Sequence, residues 1–185
     1  MTNSNKIFRY FLWLGIITST CALAVYAYLG LFTRYMADDY CLLVNLQTDN
    51  VFSASLDKYL LSSNRFSNLF VISLWEIFPN SIAFVPALHI ILWVAGLTWI
   101  LYECKHLFNW NIQPALLFLT AELLALFSLF TTPNTFQVLY WRSGQVTYFT
   151  PLVLFTFILA WLLKITRSEL KVNRYIPIFI LLAFF

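Results

Sequence analysis

Two short polar motifs carry most of the chemistry that this sequence could perform. In the first, Asp38 and Asp39 stand side by side about six residues after a long apolar run ends. Adjacent carboxylates at a membrane boundary suit a general base or the binding of a divalent cation. The structural alternative is that one carboxylate caps a helix beginning near Tyr40 while the other is solvated.

The second motif runs from Tyr140 to Pro151 and has Arg142 as its sole charge. Aromatic residues flank Arg142, and Gly144 follows it, where a missing side chain lets backbone approach a ligand. Such a site fits a phosphate or a lipid headgroup, because arginine makes fork-like contacts with phosphate. An aromatic belt whose arginine reaches toward water has the same pattern, so both interpretations stay open.

Two further ionisable residues, His89 and Glu122, lie within long apolar segments. An ionisable group at membrane depth usually faces a cavity or a partner helix. A neutral Glu122 that hydrogen-bonds between helices would serve packing alone. No second histidine lies near His89, so no metal site is predicted there. The sequence has no phosphate-binding glycine loop, nucleotide fingerprint or nucleic-acid module, and we expect no nucleic-acid partner.

The composition indicates which elements must position these motifs. Hydrophobic residues make up 61% of the 185 residues and charged residues only 10%, against about 25% charged in an ordinary soluble domain. Lipid can cover so much apolar surface, provided that backbone polar groups are satisfied within helices or a closed barrel. The apolar stretches run continuously for roughly twenty residues, which favours helices. We therefore predict an all-α, polytopic transmembrane helix bundle.

Four spans are predicted, at about 11–32, 82–102, 114–130 and 148–163. A fifth begins near residue 175 and is cut at 185, since eleven residues cannot cross about 30 Å of hydrocarbon at about 1.5 Å per residue. We expect residues 1–185 to form one membrane domain, the N-terminal part of a longer protein.

Charge asymmetry decides the fate of segment 66–78, which is apolar but short. If it does not cross, seven lysines and arginines lie in segments 1–10, 103–112 and 164–174, against four on the other side. That distribution satisfies the positive-inside rule. It predicts a cytoplasmic N-terminus, a large extracytoplasmic loop over residues 33–81, and an interfacial or re-entrant helix at 66–78.

The large loop also contains the pattern of a second interfacial helix. Phe52, Leu56, Tyr59 and Leu60 fall at helical spacing. Polar residues occupy the other side of that helix. The pattern is typical of an amphipathic helix that lies on the membrane.

Three short motifs resemble those of uncharacterised bacterial multi-pass proteins that are grouped near the GT-C membrane glycosyltransferases. They are Ala37-Asp38-Asp39-Tyr40, Asn64-Arg65-Phe66-Ser67-Asn68 and Trp141-x-x-Gly144-x-x-x-Tyr148. The order of one span, an acidic motif, a large outer loop and then packed spans is similar to the N-terminal half of GT-C enzymes, over about residues 5–165. The resemblance implies that a sugar moves from a polyprenyl-phosphate carrier to an extracytoplasmic acceptor, such as a cell-envelope glycan, lipid or protein. It places the protein in the bacterial inner membrane.

The resemblance also implies roles for individual residues. Asp38 would deprotonate the acceptor hydroxyl, and Asp39 would support it or orient the acceptor. By its position Arg142 would hold the carrier phosphate, with Arg65 as a second candidate. The remaining substrate-binding candidates are Tyr40, Trp141, Gly144 and Tyr148. The second outer loop lacks the acidic residue that serves as a metal ligand in some relatives, so no cofactor is firmly implied and a divalent cation stays an alternative.

Two other classes of function fit the same sequence. In a multi-pass transporter or lipid-handling protein, Glu122 and His89 would form a proton-coupled pair inside the bundle and Asp38 would be peripheral. In a scaffold or assembly subunit, none of these residues would be catalytic. Membrane lipids are partners in every case.

Overall fold

A computed structural model describes residues 3–48, 50–61, 66–168 and 177 of the chain, and those residues form helices and turns without a β-strand. The helices are α1 (Asn3–Leu29), α2 (Asp38–Thr48), α3 (Val51–Leu61), α4 (Phe66–Glu76), α5 (Ser81–Leu107), α6 (Pro114–Thr131), α7 (Arg142–Gly144) and α8 (Thr150–Arg167). A 3-10 turn, Gly30–Phe32, extends α1, and π-helical segments at Phe136–Tyr140 and Gln145–Phe149 flank α7. The all-α prediction is confirmed for the described part of the chain.

Four helical stretches are long and apolar enough to cross a membrane. They are Lys6–Phe32, Ser81–Leu107, Pro114–Thr131 and Arg142–Arg167. The shortest has 18 residues, which at about 1.5 Å per residue gives about 27 Å, close to the hydrocarbon thickness. The structure therefore has, at the four predicted spans, helices that are long and apolar enough for a membrane protein. The fifth predicted span, near 175–185, lies outside the described residues except for residue 177.

The fourth span begins earlier than the sequence predicts, at Arg142 and not near residue 148. The polar residues at its start lowered the local hydropathy and hid this turn of helix. Protein groups satisfy several of them: Ser143 donates to Asp39, and Gln145 Nε2 donates to the Leu139 carbonyl at 2.9 Å. Arg142 consequently lies buried at the end of a span and not in an exposed loop.

Helix α5 lies at the centre of the four spans, because it packs against α8, α6 and α1. Gly96 of α5 approaches Thr156 of α8 so closely that a Cβ on the glycine would overlap the threonine hydroxyl. Small residues allow such close helix crossings in membranes, where lipid removes the hydrophobic drive for association. Leu23, Trp93 and Phe149 belong to the buried core between the spans. Helix α5 therefore holds the other three spans together.

Helix α4 packs against one end of the bundle without crossing it. Its 11 residues measure about 16 Å, half of the hydrocarbon thickness. Near its start Asn68 Nδ2 donates to Thr147 Oγ1 at 2.6 Å, and at its end Glu76 faces Arg142. Both ends of α4 thus lie beside the beginning of the fourth span.

Helix α3 confirms that residues 52–60, where the sequence predicts an amphipathic helix on the membrane, are helical. Its apolar residues, Phe52, Leu56, Tyr59 and Leu60, are exposed, whereas Ala54 is buried. The small residues face the protein and the large ones face outward. An outward apolar face is the arrangement that a helix resting on lipid requires.

An ion pair joins α5 to α8 at the opposite end of the bundle. Arg167 Nε donates to Glu103 Oε2 at 2.9 Å, and Trp99 Nε1 donates to Glu103 Oε1 at 3.0 Å. The ammonium of Lys164 lies 5.9 Å from the centre of the Trp99 ring. Both oxygens of this buried carboxylate therefore have protein donors.

Candidate functional site

Arg142 is the centre of the polar cluster at the other end, where it is 2% exposed. Its Nη2 donates to Ser81 Oγ at 2.6 Å and lies 3.3 Å from Glu76 Oε1. Ser81 begins α5 and Glu76 ends α4, so one guanidinium connects three helices. Burying a charge at such a junction is costly unless partners compensate for the lost water.

The compensation around Arg142 is incomplete. Its Nε and Nη1 make no hydrogen bond of good geometry with the described residues, although the Tyr35 hydroxyl lies close enough to interact with the guanidinium. A guanidinium carries five N–H donors, and these two nitrogens account for three of them. A buried donor without a partner costs about 1–3 kcal/mol, and more when it is charged. An anion with several acceptor oxygens would match this set of donors.

The backbone around Arg142 is unusual, because π-helical segments lie on both sides of α7. The Trp141 amide donates to the Phe136 carbonyl at 3.0 Å, across the wide π-turn. Such turns are rare and occur frequently at functional sites. No hydropathy pattern in the sequence signals them.

Gly144 has a role different from the predicted one. A Cβ at this position would overlap the carbonyl oxygen of Gln137 and lie 3.0 Å from the Trp141 ring. The glycine thus lets the chain pack on its own preceding π-turn. The sequence predicts approach by a ligand here, and the structure shows approach by the Gln137 backbone.

Asp39 is buried and joins two segments that are 104 residues apart in sequence. Its Oδ1 accepts hydrogen bonds from the amide of Ser143 at 3.0 Å and from the Ser143 hydroxyl at 2.7 Å. Its Oδ2 accepts from the amide of Met36 at 3.0 Å. Asp39 therefore binds the backbone that precedes α2, and its bonds to Ser143 hold the start of α2 against α7.

Asp38 differs from its neighbour, because it is exposed and has no side-chain hydrogen bond with the described residues. The preceding Ala37 has φ 44°, a left-handed conformation that turns the chain sharply before α2. Since Asp39 is tied to Ser143, the adjacent Asp38 carboxylate lies at the same end of the bundle as Arg142. Its carboxylate is accessible to solvent.

Glu76 and Tyr35 belong to the cluster although the sequence did not identify them as site residues. The Tyr35 hydroxyl donates to Glu76 Oε2 at 2.6 Å. Burial, and next the hydrogen bond to Glu76, raise the pKa of Tyr35 to about 12, so the phenol stays protonated at neutral pH. Glu76 is the single acid in the apolar segment 66–78. An acid in such a segment commonly faces a polar partner, and this signal could have identified it.

The structure brings some of the predicted substrate residues to the cluster and leaves others at the surface. Tyr40 and Tyr148 are each 59% exposed. Trp141 is half-buried, and its Nε1 has no acceptor among the described residues. Arg65 lies outside the described residues. Of the predicted residues, Asp39, Arg142 and Gly144 are therefore the buried members.

Glu122 and His89 belong to two separate contacts between spans. Glu122 Oε2 accepts from Ser19 at 2.7 Å and joins α6 to α1, whereas His89 Nε2 lies 2.8 Å from Thr150 Oγ1 and joins α5 to α8. No hydrogen bond connects Glu122 with His89 in the part of the chain that the structure describes. Each residue therefore contacts a neighbouring span, an arrangement that fits the packing interpretation.

The described residues include no group of three or more His, Cys, Asp or Glu side chains that could hold a metal ion. Comparisons with protein-family models, curated proteins and solved structures found no match to this chain. The arrangement of the chain's own residues therefore carries the functional assignment.

Proposed function

We propose that this protein is a GT-C type membrane glycosyltransferase that moves a sugar from a polyprenyl-phosphate donor to an extracytoplasmic acceptor. The observation that carries the proposal is Arg142, a buried guanidinium with N–H donors on Nε and Nη1 that no described residue accepts. Arginine provides the geometry for a phosphate, and two terminal phosphate oxygens would satisfy donors that protein groups leave unpaired.

The depth of Arg142 favours a phosphate carried by a lipid. Arg142 is the first residue of the fourth membrane-spanning stretch, and lipid phosphates lie just beyond the hydrocarbon boundary. A polyprenyl carrier could keep its chain in the bilayer while its phosphate contacts the end of this span. A soluble phosphate compound would have to enter the same boundary from water.

The charges at the two ends of the bundle support an extracytoplasmic site. Lys6, Arg9, Lys105, Lys164 and Arg167 lie at the ends of the spans remote from Arg142. An excess of lysine and arginine marks the cytoplasmic side. This proposed orientation has a cytoplasmic N-terminus and puts α2, α3 and α4 outside.

In the proposed reaction Asp38 is the general base. It removes the proton from an acceptor hydroxyl while that oxygen attacks the anomeric carbon of the sugar. The bond between that carbon and the carrier phosphate oxygen breaks, and the charge that develops on the phosphate is stabilised by Arg142. Asp39 is a positioning residue, because its bonds to Ser143 hold the start of α2 beside α7. The transporter alternative has less support, since Glu122 and His89 have separate partners.

A transfer assay tests this function. Membranes that contain the full-length protein receive a polyprenyl phosphate bearing a radiolabelled hexose, and the label that leaves the carrier is counted. Asp38→Asn should lower turnover by about 10²–10⁴-fold, because asparagine cannot accept the proton. Asp57→Asn, which alters an exposed carboxylate on α3, is the matched control and should leave turnover unchanged. Turnover by Asp38→Asn within a few-fold of the wild type would contradict the role of the base.

A further inference from the structure

Glu76 contacts Arg142 by charge and not by a directed hydrogen bond. Its Oε1 lies 3.3 Å from Arg142 Nη2, and that oxygen has no hydrogen-bond partner among the described residues. The same Nη2 already donates to Ser81 at 2.6 Å. Charged pairs with good geometry are shorter, at about 2.7–2.9 Å. Glu76 is therefore a weakly directed partner of a strongly buried cation.

Glu76 also has a second polar partner, Tyr35, which itself lies beside Arg142. Its Oε2 accepts the hydroxyl of Tyr35 at 2.6 Å. The side chain of Glu76 is 19% exposed, against 1% for that of Arg142. The residue ends α4, and no further turn of that helix encloses it. Glu76 is therefore the less enclosed partner of the pair, and it has a hydrogen bond to Tyr35 besides its contact with Arg142.

The two carboxylates near Arg142 differ in what they can release. Both Glu76 and Asp39 interact electrostatically with the guanidinium. Asp39 accepts three hydrogen bonds, from Met36 and Ser143, and leaving them would break the brace to α7. Glu76 has one protein hydrogen bond, so it can move aside for an incoming anion at a smaller cost than Asp39.

We infer that Glu76 occupies the place of the ligand phosphate beside Arg142 while no ligand is bound, and that it thereby determines which anions the site accepts. The inference rests on the proposed recognition of phosphate by Arg142. A ligand with a single carboxylate offers Arg142 no more than Glu76 already provides. A phosphate brings further oxygens that can accept from Nε and Nη1, so it displaces Glu76 where a carboxylate does not. The site therefore takes polyprenyl phosphates and rejects fatty acids of similar apolar character.

Binding measurements on a charge-neutral variant test this inference. The full-length protein is purified in maltoside micelles, which carry no phosphate, and titrated separately with polyprenyl monophosphate, oleate and inorganic phosphate. Glu76→Gln removes the negative charge yet keeps an acceptor for Tyr35. Removing a like charge within a few ångströms of the phosphate should tighten binding of polyprenyl monophosphate by roughly 10–100-fold and allow oleate to bind. Glu103→Gln, at the other arginine pair, should change neither affinity.

The outcomes separate this inference from the proposed function. Suppose that the wild type binds polyprenyl monophosphate and that a folded Glu76→Gln variant binds it no more tightly. That result would show that Glu76 does not compete with the phosphate, and Arg142 would remain a phosphate site. If neither protein binds it, phosphate recognition fails and the inference fails with it. A gain seen with inorganic phosphate alone overturns the lipid-borne ligand. Should Glu76→Gln not fold, Glu76→Asp decides: retracting the charge must tighten binding, and unchanged or weaker binding overturns the inference.

Discussion

Two arginine–carboxylate pairs lie at opposite ends of the same bundle, and they are built differently. Arg167 donates to Glu103 at 2.9 Å, Trp99 occupies the other carboxylate oxygen, and the Arg167 side chain keeps 35% of its surface exposed. In the second pair Arg142 is the buried partner, its distance to the Glu76 carboxylate is 3.3 Å, and two of its nitrogens have no acceptor among the described residues.

The difference supports the proposed phosphate site at the Arg142 end. In a pair that only connects helices, protein groups satisfy the buried residue, as they do for Glu103. The remaining donors belong to the exposed residue, here Arg167, and can bind water. Unpaired polar groups are most costly where the local dielectric constant is low. Leaving donors of a buried Arg142 unpaired therefore lowers stability, and binding of a phosphate would compensate for that loss.

The largest effect on stability is expected at Gly144, which packs against the backbone of the preceding π-helical segment. Gly144→Ala forces the new methyl group against the Gln137 carbonyl. Backbone must move, so we expect a loss of about 3 kcal/mol, the upper part of the range for overpacking. Thermal unfolding in maltoside micelles measures it. Gly15→Ala is the control, because its neighbour is the flexible end of Leu119; equal losses at the two glycines would refute the constraint at position 144.

Removing both charges of each pair should change stability in opposite directions. Arg142→Met with Glu76→Gln eliminates a buried charge with unpaired donors, and we expect the free energy of unfolding to rise by about 1–2 kcal/mol. Arg167→Met with Glu103→Gln removes a pair with satisfied hydrogen bonds and should lose about 1–2 kcal/mol. Thermal unfolding of both double variants measures the contrast. A similar loss at both ends would mean that the two pairs have the same structural role.

Asp39 and Asp38 offer a smaller test within the Arg142 end. In Asp39→Asn one oxygen can still accept from Ser143, but the new amide group would face the Met36 N–H, donor against donor. We expect a loss of about 1 kcal/mol and a few-fold fall in turnover, milder than that of Asp38→Asn. Exposed Asp38→Asn should leave the unfolding temperature unchanged. Asp39→Asn must lose more stability and Asp38→Asn more turnover; a larger stability loss from Asp38→Asn would reverse the assignment of the brace.

The smallest effect is a pH dependence from Tyr35. Burial and the hydrogen bond to Glu76 raise the pKa of Tyr35 from 10.0 to about 12. Because the folded state holds this proton more tightly than the unfolded state, the stabilisation is complete below pH 10 and is lost as the pH rises toward 12. The unfolding temperature should fall over that range, and less steeply in Tyr35→Phe. Tyr140, whose pKa is also raised to about 12 by burial, contributes to the same slope, so Tyr140→Phe should flatten it as well. A wild-type slope in Tyr35→Phe would exclude the contribution of Tyr35.

The sequence predicts the spans well because hydropathy is a local property of about twenty residues. The site depends on contacts between distant residues: Asp39 meets Ser143 across 104 positions, and Arg142 meets Ser81 across 61. Adjacent positions on a helix point about 100° apart, so the pair Asp38 and Asp39 could not reveal which carboxylate is buried. Arg142 stood out as a lone charge among aromatics, whereas Glu76 was obscured by the apolar residues around it.

Binding of polyprenyl monophosphate by two matched lysine variants tests the difference between the two ends most directly. The full-length protein in maltoside micelles is compared with Arg142→Lys and Arg167→Lys, after size-exclusion chromatography has shown that each is folded. Lysine keeps the charge but loses the fork of N–H donors. We predict that Arg142→Lys weakens binding by about tenfold or more and that Arg167→Lys leaves it unchanged. Equal affinities for the two variants and the wild type would contradict the assignment of Arg142 as the phosphate site.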